Sequence, residues 1–355
     1  MITFSTALSQ TVTATAVAGE NTYARINSFF APNGGDVCET PDCAHPDEAP
    51  HIRMVYDNDL QKYVFAFYAH VHFDNDRCQK FDRQRVEIKT YSASPSWMLG
   101  YVGDSVRYEW SFKIPVGFQP SANFTHIHQI KPVGGGADAE LPIFTLTCRK
   151  GKSGKPNKME LRWANDETVK DADLSLFEGV WVDVTEAIRI DPVNGQYKLL
   201  VKNHETGATI LSYTNNKLMT IKPMNDYIRP KWGIYRSLLD STSLRDEVMW
   251  FDNVKVRKVQ ESSENTTIIE KKNSKKLNAF VEGDVLNLSY FVDKNLVSDL
   301  EIVNMLGQVI LQKNIQNDAQ EYVEHSVYVG NLPIGVYVAK IKNGNNIFTE
   351  KFVIR

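Results

Sequence analysis

Three short segments of the 355-residue chain carry ionisable side chains at the spacing a β-strand uses to point them one way. In Arg85-Val86-Glu87-Ile88-Lys89, alternation puts Arg85, Glu87 and Lys89 on one face, with Val86 and Ile88 toward a core. In Phe124-Thr125-His126-Ile127-His128-Gln129-Ile130-Lys131, Gln129 and Lys131 share one face, and His126 and His128 the other. In Lys231-Trp232-Gly233-Ile234-Tyr235-Arg236, the shared face carries Lys231, Gly233 and Tyr235, and Gly233 leaves room beside the phenol for a bound chain. A guanidinium, an amide, amines and a phenol in one cleft would hold an anionic ligand and move protons on it. Taken singly, the first segment reads as the solvent face of an amphipathic strand and the third as a core strand with Gly at a bulge. Only together do the three define a site. Two His at i, i+2 offer metal ligands, but no carboxylate or Cys at fixed spacing completes the set, so a structural or sugar-binding histidine is expected.

The elements that must position these side chains are strands. The composition is 42% hydrophobic and 23% charged, which is globular and excludes disorder throughout. Aromatic residues are plentiful (Trp 6, Tyr 15, Phe 17) and Ala/Leu-rich helical stretches few, which favours β-structure with room for sugar-stacking surfaces. Residues 20–258 read as a dozen short β-branched or aromatic runs, punctuated by turns such as Gly134-Gly135-Gly136 and Asn194-Gly195. That pattern predicts an all-β jelly-roll sandwich. Residues 259–276 are polar and charged and read as a linker. From 277 to 355 a second strand series predicts a small Ig-like β-sandwich. Residues 1–19 read as the remnant of a secretory signal, ending in Ala7-Leu8-Ser9, or as a disordered N-terminus.

Net charge is −3, which gives no whole-molecule basic field for nucleic acid, and no apolar run approaches the ~20 residues that span a bilayer. Of the four cysteines, Cys38 and Cys43 sit in one Pro/Asp-rich loop, where a local disulfide is expected. The alternative there is zinc, with His45 and His51 nearby, but C-x4-C with scattered His fits structural zinc spacing poorly.

Together the three segments resemble the signature of the jelly-roll polysaccharide lyases. The alginate lyases of this architecture carry Arg-x-Glu-x-Arg, Gln-Ile-His and Lys-Ala-Gly-x-Tyr. The matching stretches are Arg85-Val86-Glu87-Ile88-Lys89, Gln129-Ile130-Lys131 and Lys231-Trp232-Gly233-Ile234-Tyr235. Lys131 stands where those enzymes have His, and Lys89 where they have Arg. The FTHIHQIK and PKWGIYRS stretches look closer to the ulvan lyases of polysaccharide lyase family 28, which work with a lysine and a tyrosine. The resemblance implies β-elimination on a uronic-acid polymer, with ulvan as the expected substrate and glucuronan, alginate or heparin-like chains as alternatives. Lys131 is then the expected base and Tyr235 the expected acid. A lysine near pKa 10.4 needs neighbouring cations and burial to serve as a base. Arg85, Gln129, Lys89 and, more weakly, Arg236 are expected to neutralise the substrate carboxylate. His128 is the reserve base if the register slips by one residue.

The C-terminal stretch, with Asn304-Met305-Leu306-Gly307-Gln308, Asn331-Leu332-Pro333-Ile334-Gly335-Val336-Tyr337 and a terminal Lys351-Phe352-Val353-Ile354-Arg355, resembles the type IX secretion sorting domain of Bacteroidetes. It implies an exported, secreted or cell-surface protein whose partners are the secretion machinery and an acidic polysaccharide, and a monomer is expected. No cofactor is needed for the chemistry. A structural calcium held by Asp252, in Trp250-Phe251-Asp252-Asn253, is a further expectation. Two rival readings remain. A glycoside hydrolase would need two carboxylates ~5–5.5 Å apart, and no strand carries such a cluster. A non-catalytic carbohydrate-binding protein would use Trp97, Tyr101, Trp110, Trp163, Trp181 and Trp232 as stacking platforms.

Overall fold

The computed structural model describes residues 10–164, 167–259, 277–282, 284–291, 297–315, 322–344 and 346–354. Its contacts divide the chain into two units, Met1–Glu261 and Ser262–Arg355. The first unit runs β1 (Thr11–Ala14), α1 (Thr22–Phe30), β2 (Cys38–Glu39), β3 (Ile52–Asp57), β4 (Lys62–Ala69), β5 (Arg83–Lys89), β6 (Ser105–Lys113), β7 (Thr125–Val133), β8 (Phe144–Arg149), β9 (Lys158–Trp163), β10 (Glu167–Asp173), β11 (Trp181–Arg189), β12 (Gly195–Asn203), β13 (Thr209–Leu218), β14 (Tyr227–Ser237) and β15 (Glu247–Val259). An eight-stranded sheet has the order β13-β12-β11-β6-β15-β4-β3, with β1 pairing β15. A seven-stranded sheet has the order β10-β9-β8-β7-β14-β5-β2.

The two sheets form a jelly-roll sandwich because their strands alternate. Phe65, Phe67, Phe112 and Phe251 from one sheet meet Ile88, Ile127, Ile130, Trp232 and Ile234 from the other in one buried cluster. Trp110 and Trp232 make a ring contact across the layers at 6.1 Å. Trp110, Trp181 and Trp232 are buried, and Trp97 and Trp163 pack against the same cluster, so these five belong to the core; Tyr101 alone of the six expected platforms is exposed.

The domain begins earlier than the sequence indicates. Residues 1–9 lie outside the described residues, but Thr11–Ala14, inside the stretch read as a leader, pairs with β15 from Thr11↔Arg257 to Ala14↔Val254. Within the stretch read as strands, α1 forms a helix. Asn21 caps it by accepting from the Ala24 backbone N–H at 2.9 Å, and Ile26 and Phe30 bury its inner face. Of the expected linker, residues 260–276 lie outside the described residues.

The second unit has a three-stranded sheet, β16 (Asn278–Glu282), β17 (Val285–Phe291) and β20 (Tyr322–Tyr328). Its four-stranded sheet contains β18 (Ser298–Asn304), β19 (Val309–Ile315), β21 (Gly335–Asn343) and β22 (Asn346–Ile354). Leu286, Leu288, Leu300, Ile302 and Ile341 give it a core of its own. In this β-sandwich the Asn304–Gln308 stretch is a turn: Asn304 Oδ1 accepts from the Leu306 and Gln308 backbone N–H groups, both at 3.0 Å.

The cysteine pairing differs from expectation. Cys43 is bonded to Cys78, 35 residues away, with Cα atoms 6.3 Å apart. Cys38 is a free thiol in β2, paired to β5 opposite Ile88 and packed against the core, and Cys148 is free and buried. Strand pairing carries Cys38 away from Cys43, and the loop between β4 and β5 returns Cys78 to it.

Candidate active site

The three segments singled out in the sequence are three neighbouring strands, β5, β14 and β7. The antiparallel registers set Tyr235 opposite Arg85, Gly233 opposite Glu87 and Lys231 opposite Lys89. On the other side of β14, Lys231 lies opposite Gln129, Arg229 opposite Lys131 and Tyr235 opposite His126. Arg85, Lys89, Gln129, Lys131, Lys231 and Tyr235 all line one cavity of about 550 Å³. Its wall carries eight cationic side chains (Arg77, Lys80, Arg83, Arg85, Lys89, Lys131, Arg229, Lys231) and three acidic ones (Glu39, Asp76, Glu140).

At the floor is Glu87, fully buried. Its carboxylate accepts from Arg85 and from the Gln129 amide, both at 2.5 Å, and Lys231 Nζ lies 3.3 Å away. Glu39 of β2 takes Lys231 as a second partner and Lys89 at 2.8 Å. Burial opposes the ionised Glu39, but Lys231, Arg85 and Lys89 hold its carboxyl well below the usual range. Asp76, in the loop after β4, grips the Arg85 guanidinium at 2.9 and 3.0 Å. Arg85 also lies over the Tyr235 ring, 3.6 Å from its centroid. The charges of Arg85 and Lys89 are therefore already matched by carboxylates. They form a fixed base to the groove, where the sequence placed free cations.

Lys131 differs. Its amine meets no carboxylate among the described residues; Nζ donates to the backbone carbonyls of Ala139, at 2.5 Å, and Glu140. Burial, then Lys231, Arg85 and Arg229, pulls its pKa down to about 7. A neutral amine has two N–H groups, which those carbonyls accept, and one lone pair left over. Arg229, its neighbour across the strands, donates to the Thr90 carbonyl at 3.1 Å and has no carboxylate within ion-pair distance among the described residues. Tyr235 is pushed up by burial, against the pull of Arg85 and Arg83, and its hydroxyl accepts from Arg83 at 3.1 Å. The phenol therefore keeps its proton at neutral pH.

Two expected residues face elsewhere. His128 points between the sheets, where Nε2 lies 2.9 Å from Glu186 Oε2 of β11. Arg236 is fully buried on that same side, bonded to Gln84 and to the Arg245 carbonyl, the latter at 2.8 Å, and burial lowers its pKa to about 10. Neither reaches the groove. His126 does, against strict alternation. The registers shift between His126 and His128 on the β8 side and between Trp232 and Tyr235 on the β14 side. This bulge sends both Ile127 and His128 inward and returns His126 to the groove face. His126 Nδ1 lies 2.7 Å from Thr147 Oγ1, and its ring is 6.0 Å from that of Tyr235. Burial and then Arg149 and Arg85 lower its pKa to about 3, so it is a neutral imidazole.

Gly233 has a different reason from the one expected. It sits at φ +141°, and a Cβ there would collide with the Val86 carbonyl and come within 2.7 Å of the Glu87 Cα. Its missing side chain admits the β5 backbone at the bulge. Asp252 lies in the other sheet, buried, with Lys62 Nζ 2.8 Å from Oδ2 and with Oδ1 lacking a hydrogen-bond partner among the described residues. Sequence reasoning missed His126, Arg83 and Arg229 of the strands, and Glu39, Asp76 and Arg77 of the connecting segments. The run of Arg83 and Arg85 on one face was the visible signal for Arg83.

The jelly-roll sheet thus bears a cationic groove with an amine and a phenol on it. Residues 53–255 match the family model described as polysaccharide lyase, and the chain belongs to that family: it is a lyase acting on polysaccharides. Residues 282–355 match the secretion system C-terminal sorting domain, so the protein is exported by type IX secretion to the surface or surroundings of a Bacteroidetes bacterium. No curated protein matches the chain. Among solved structures, the PL-14 alginate lyase from Aplysia kurodai is 13% identical, with a TM-score of 0.45 over 70% of this chain and 99% of its own. An exolytic PL7 alginate lyase from Zobellia galactanivorans is 10% identical (TM-score 0.41, 61% and 91% covered). A GH131 β-glucanase catalytic domain from Podospora anserina is 13% identical (TM-score 0.38, 62% and 82% covered). At these values no substrate carries over from them.

Proposed function

We propose that the groove cleaves a uronic-acid polysaccharide by β-elimination, with ulvan as the first substrate to test. Elimination removes the proton at C5, α to the carboxylate, and expels the O4 leaving group. An ionised carboxylate makes that C–H very weakly acidic, so positive charge must meet the enediolate as it forms. Arg229, whose charge no carboxylate claims among the described residues, receives the substrate carboxylate. Lys131, as the free amine, takes the C5 proton, and Tyr235 gives its proton to O4. The bond between C4 and O4 breaks, C4=C5 forms, and the products are a 4,5-unsaturated uronate and a new hydroxyl end. The single observation that carries this reading is the Lys131 amine, its pKa brought to about 7 inside a groove lined by cations and shared with Tyr235.

One observation favours a second assignment of the base. His126, and not Lys131, lies level with Tyr235 in the strand register, and it is neutral. In that assignment His126 takes the C5 proton and Lys131 binds the carboxylate. Substrate and bond cleaved are tested together by incubating the protein with ulvan, glucuronan, alginate and a heparin-like chain and following ultraviolet absorbance of unsaturated ends. Ulvan is expected to give absorbance. New reducing ends without absorbance would mean hydrolysis and end the elimination reading; absorbance on another uronan alone would replace the substrate.

A further inference from the structure

Away from the groove, at the end of the β3–β4 hairpin, three imidazoles converge on one carboxylate. His51 precedes β3, His70 follows β4, Asp74 lies in the loop beyond, and His45 comes from the turn after Cys43. One ligand atom from each lies within 4.8 Å of all the others. His51 Nε2 and His45 Nε2 lie 2.9 and 2.7 Å from the same oxygen, Asp74 Oδ1, and His70 Nδ1 lies 3.3 Å from His51 Nε2.

Hydrogen bonds alone do not account for this cluster. His51 Nδ1 lies 2.5 Å from Asp42 Oδ1, which holds a proton on Nδ1, so a cation that displaces the Nε2 proton would meet the Nε2 lone pair beside Asp74 Oδ1 and His70 Nδ1. His45 Nε2 is buried, aimed into the cluster, and makes no hydrogen bond of acceptable geometry. Lone pairs converge where a cation would relieve them. Four ligands at Zn–N distances of about 2.0–2.1 Å stand roughly 3.3 Å apart in a tetrahedron, the separation of the His51 and His70 nitrogens. The surroundings are those of a metal site. Asp42 orients His51 and is itself held by the Tyr23 hydroxyl at 2.6 Å, while Asp74 Oδ2 is occupied by the His70 backbone N–H at 2.6 Å and Gln84 at 3.2 Å. Oδ1 is left for the metal.

We propose that His45, His51, His70 and Asp74 bind one zinc ion. Imidazole and a single carboxylate suit zinc and not calcium, which wants six to eight oxygens. Four protein ligands close the shell, so the zinc is structural and takes no part in elimination. It clamps the segment from Asp74 to Cys78 onto the turn at Cys43–His45, beside the Cys43–Cys78 disulfide. That segment carries Asp76, which holds Arg85, and Arg77, which donates to Glu39 at 2.9 Å. The zinc therefore fixes one rim of the groove.

The full chain, purified with its disulfide intact and dialysed against zinc sulfate and then metal-free buffer, should retain one zinc per chain by elemental analysis. A strong chelator should lower its melting temperature, and added zinc, unlike calcium or magnesium, should restore it. Cobalt in place of zinc should give the visible bands of tetrahedral coordination. Asp42→Asn, which leaves all four ligands, should weaken zinc about 10–100-fold in a chelator competition, and His70→Gln, at the half-exposed ligand, should weaken it further. A folded chain that retains no zinc, a melting temperature that calcium alone restores, or zinc affinity unchanged in both variants would each overturn the proposal.

Discussion

The two faces of β5, β14 and β7 are both polar and both buried, yet only one is a site. On the inner face His128 meets Glu186, Tyr197 gives its hydroxyl to the same carboxylate at 2.6 Å, and Arg236 bonds Gln84. These partners all lie within the sandwich, although among the described residues His128 Nδ1 and Arg236 Nη1 make no hydrogen bond. On the groove face cations outnumber carboxylates, and among the described residues Lys131 and Arg229 hydrogen-bond only to backbone carbonyls. Buried polarity marks a core as readily as a catalytic centre. A surplus of one sign, open to a ligand, separates the two.

The sharpest way to break this contrast is at the groove's acid and base. Tyr235→Phe and Lys131→Met should each lower kcat by about 10²–10⁴-fold, measured by initial rates of unsaturated-end formation. If His126→Ala costs that much and Lys131→Met spares kcat while raising KM, His126 is the base and Lys131 a carboxylate ligand. A loss below about tenfold in Tyr235→Phe would remove the phenol from the mechanism.

On the inner face the prediction reverses. Glu186→Ala strands the His128 imidazole and the Tyr197 hydroxyl and should cost about 3 kcal/mol of stability. Calorimetry should show the first unit melting about 6–12 °C lower, while kcat at 25 °C stays within about twofold. A large drop in kcat with unchanged melting would place His128 and Glu186 in the chemistry and erase the difference between the faces.

The smallest effect is in pH. Lys131 acts as a base only when deprotonated, so kcat/KM should rise about tenfold per unit up to a pKa of about 7 and level off above it. The raised Tyr235 pKa keeps its proton available on the alkaline side. The acid limb should vanish in Lys131→Met. If it persists there, another group sets it; His126, with its pKa of about 3, would leave kcat/KM flat near 7.

Much of the groove was legible because period-two alternation holds along most of β5 and β14. It set Glu87 and Lys89 with Arg85, and Lys231 with Tyr235. It failed at the bulge between His126 and His128, where one extra residue exchanges faces, and strict counting therefore put His126 with His128. The carboxylates that neutralise Arg85 and Lys89 were also hidden. Glu39 and Asp76 come from β2 and a loop, and only tertiary pairing delivers them, just as it delivers Cys78 to Cys43. The two-unit organisation and the β-content were written in the strand-and-turn rhythm. The helix α1, nine residues long with its cap at Asn21, was too short for its period to stand out.

The grip on Lys131 is made by peptide oxygens at Ala139 and Glu140, in a connection that opens with Gly134, Gly135 and Gly136, all at positive φ. Every amino acid brings the same oxygen to such a contact. Exchanging the side chains at 139 and 140 leaves the amine where it is, whereas deleting or inserting a single residue between 134 and 140 would swing it out of line. The place of the amine therefore rests on the length of that segment more than on its side chains.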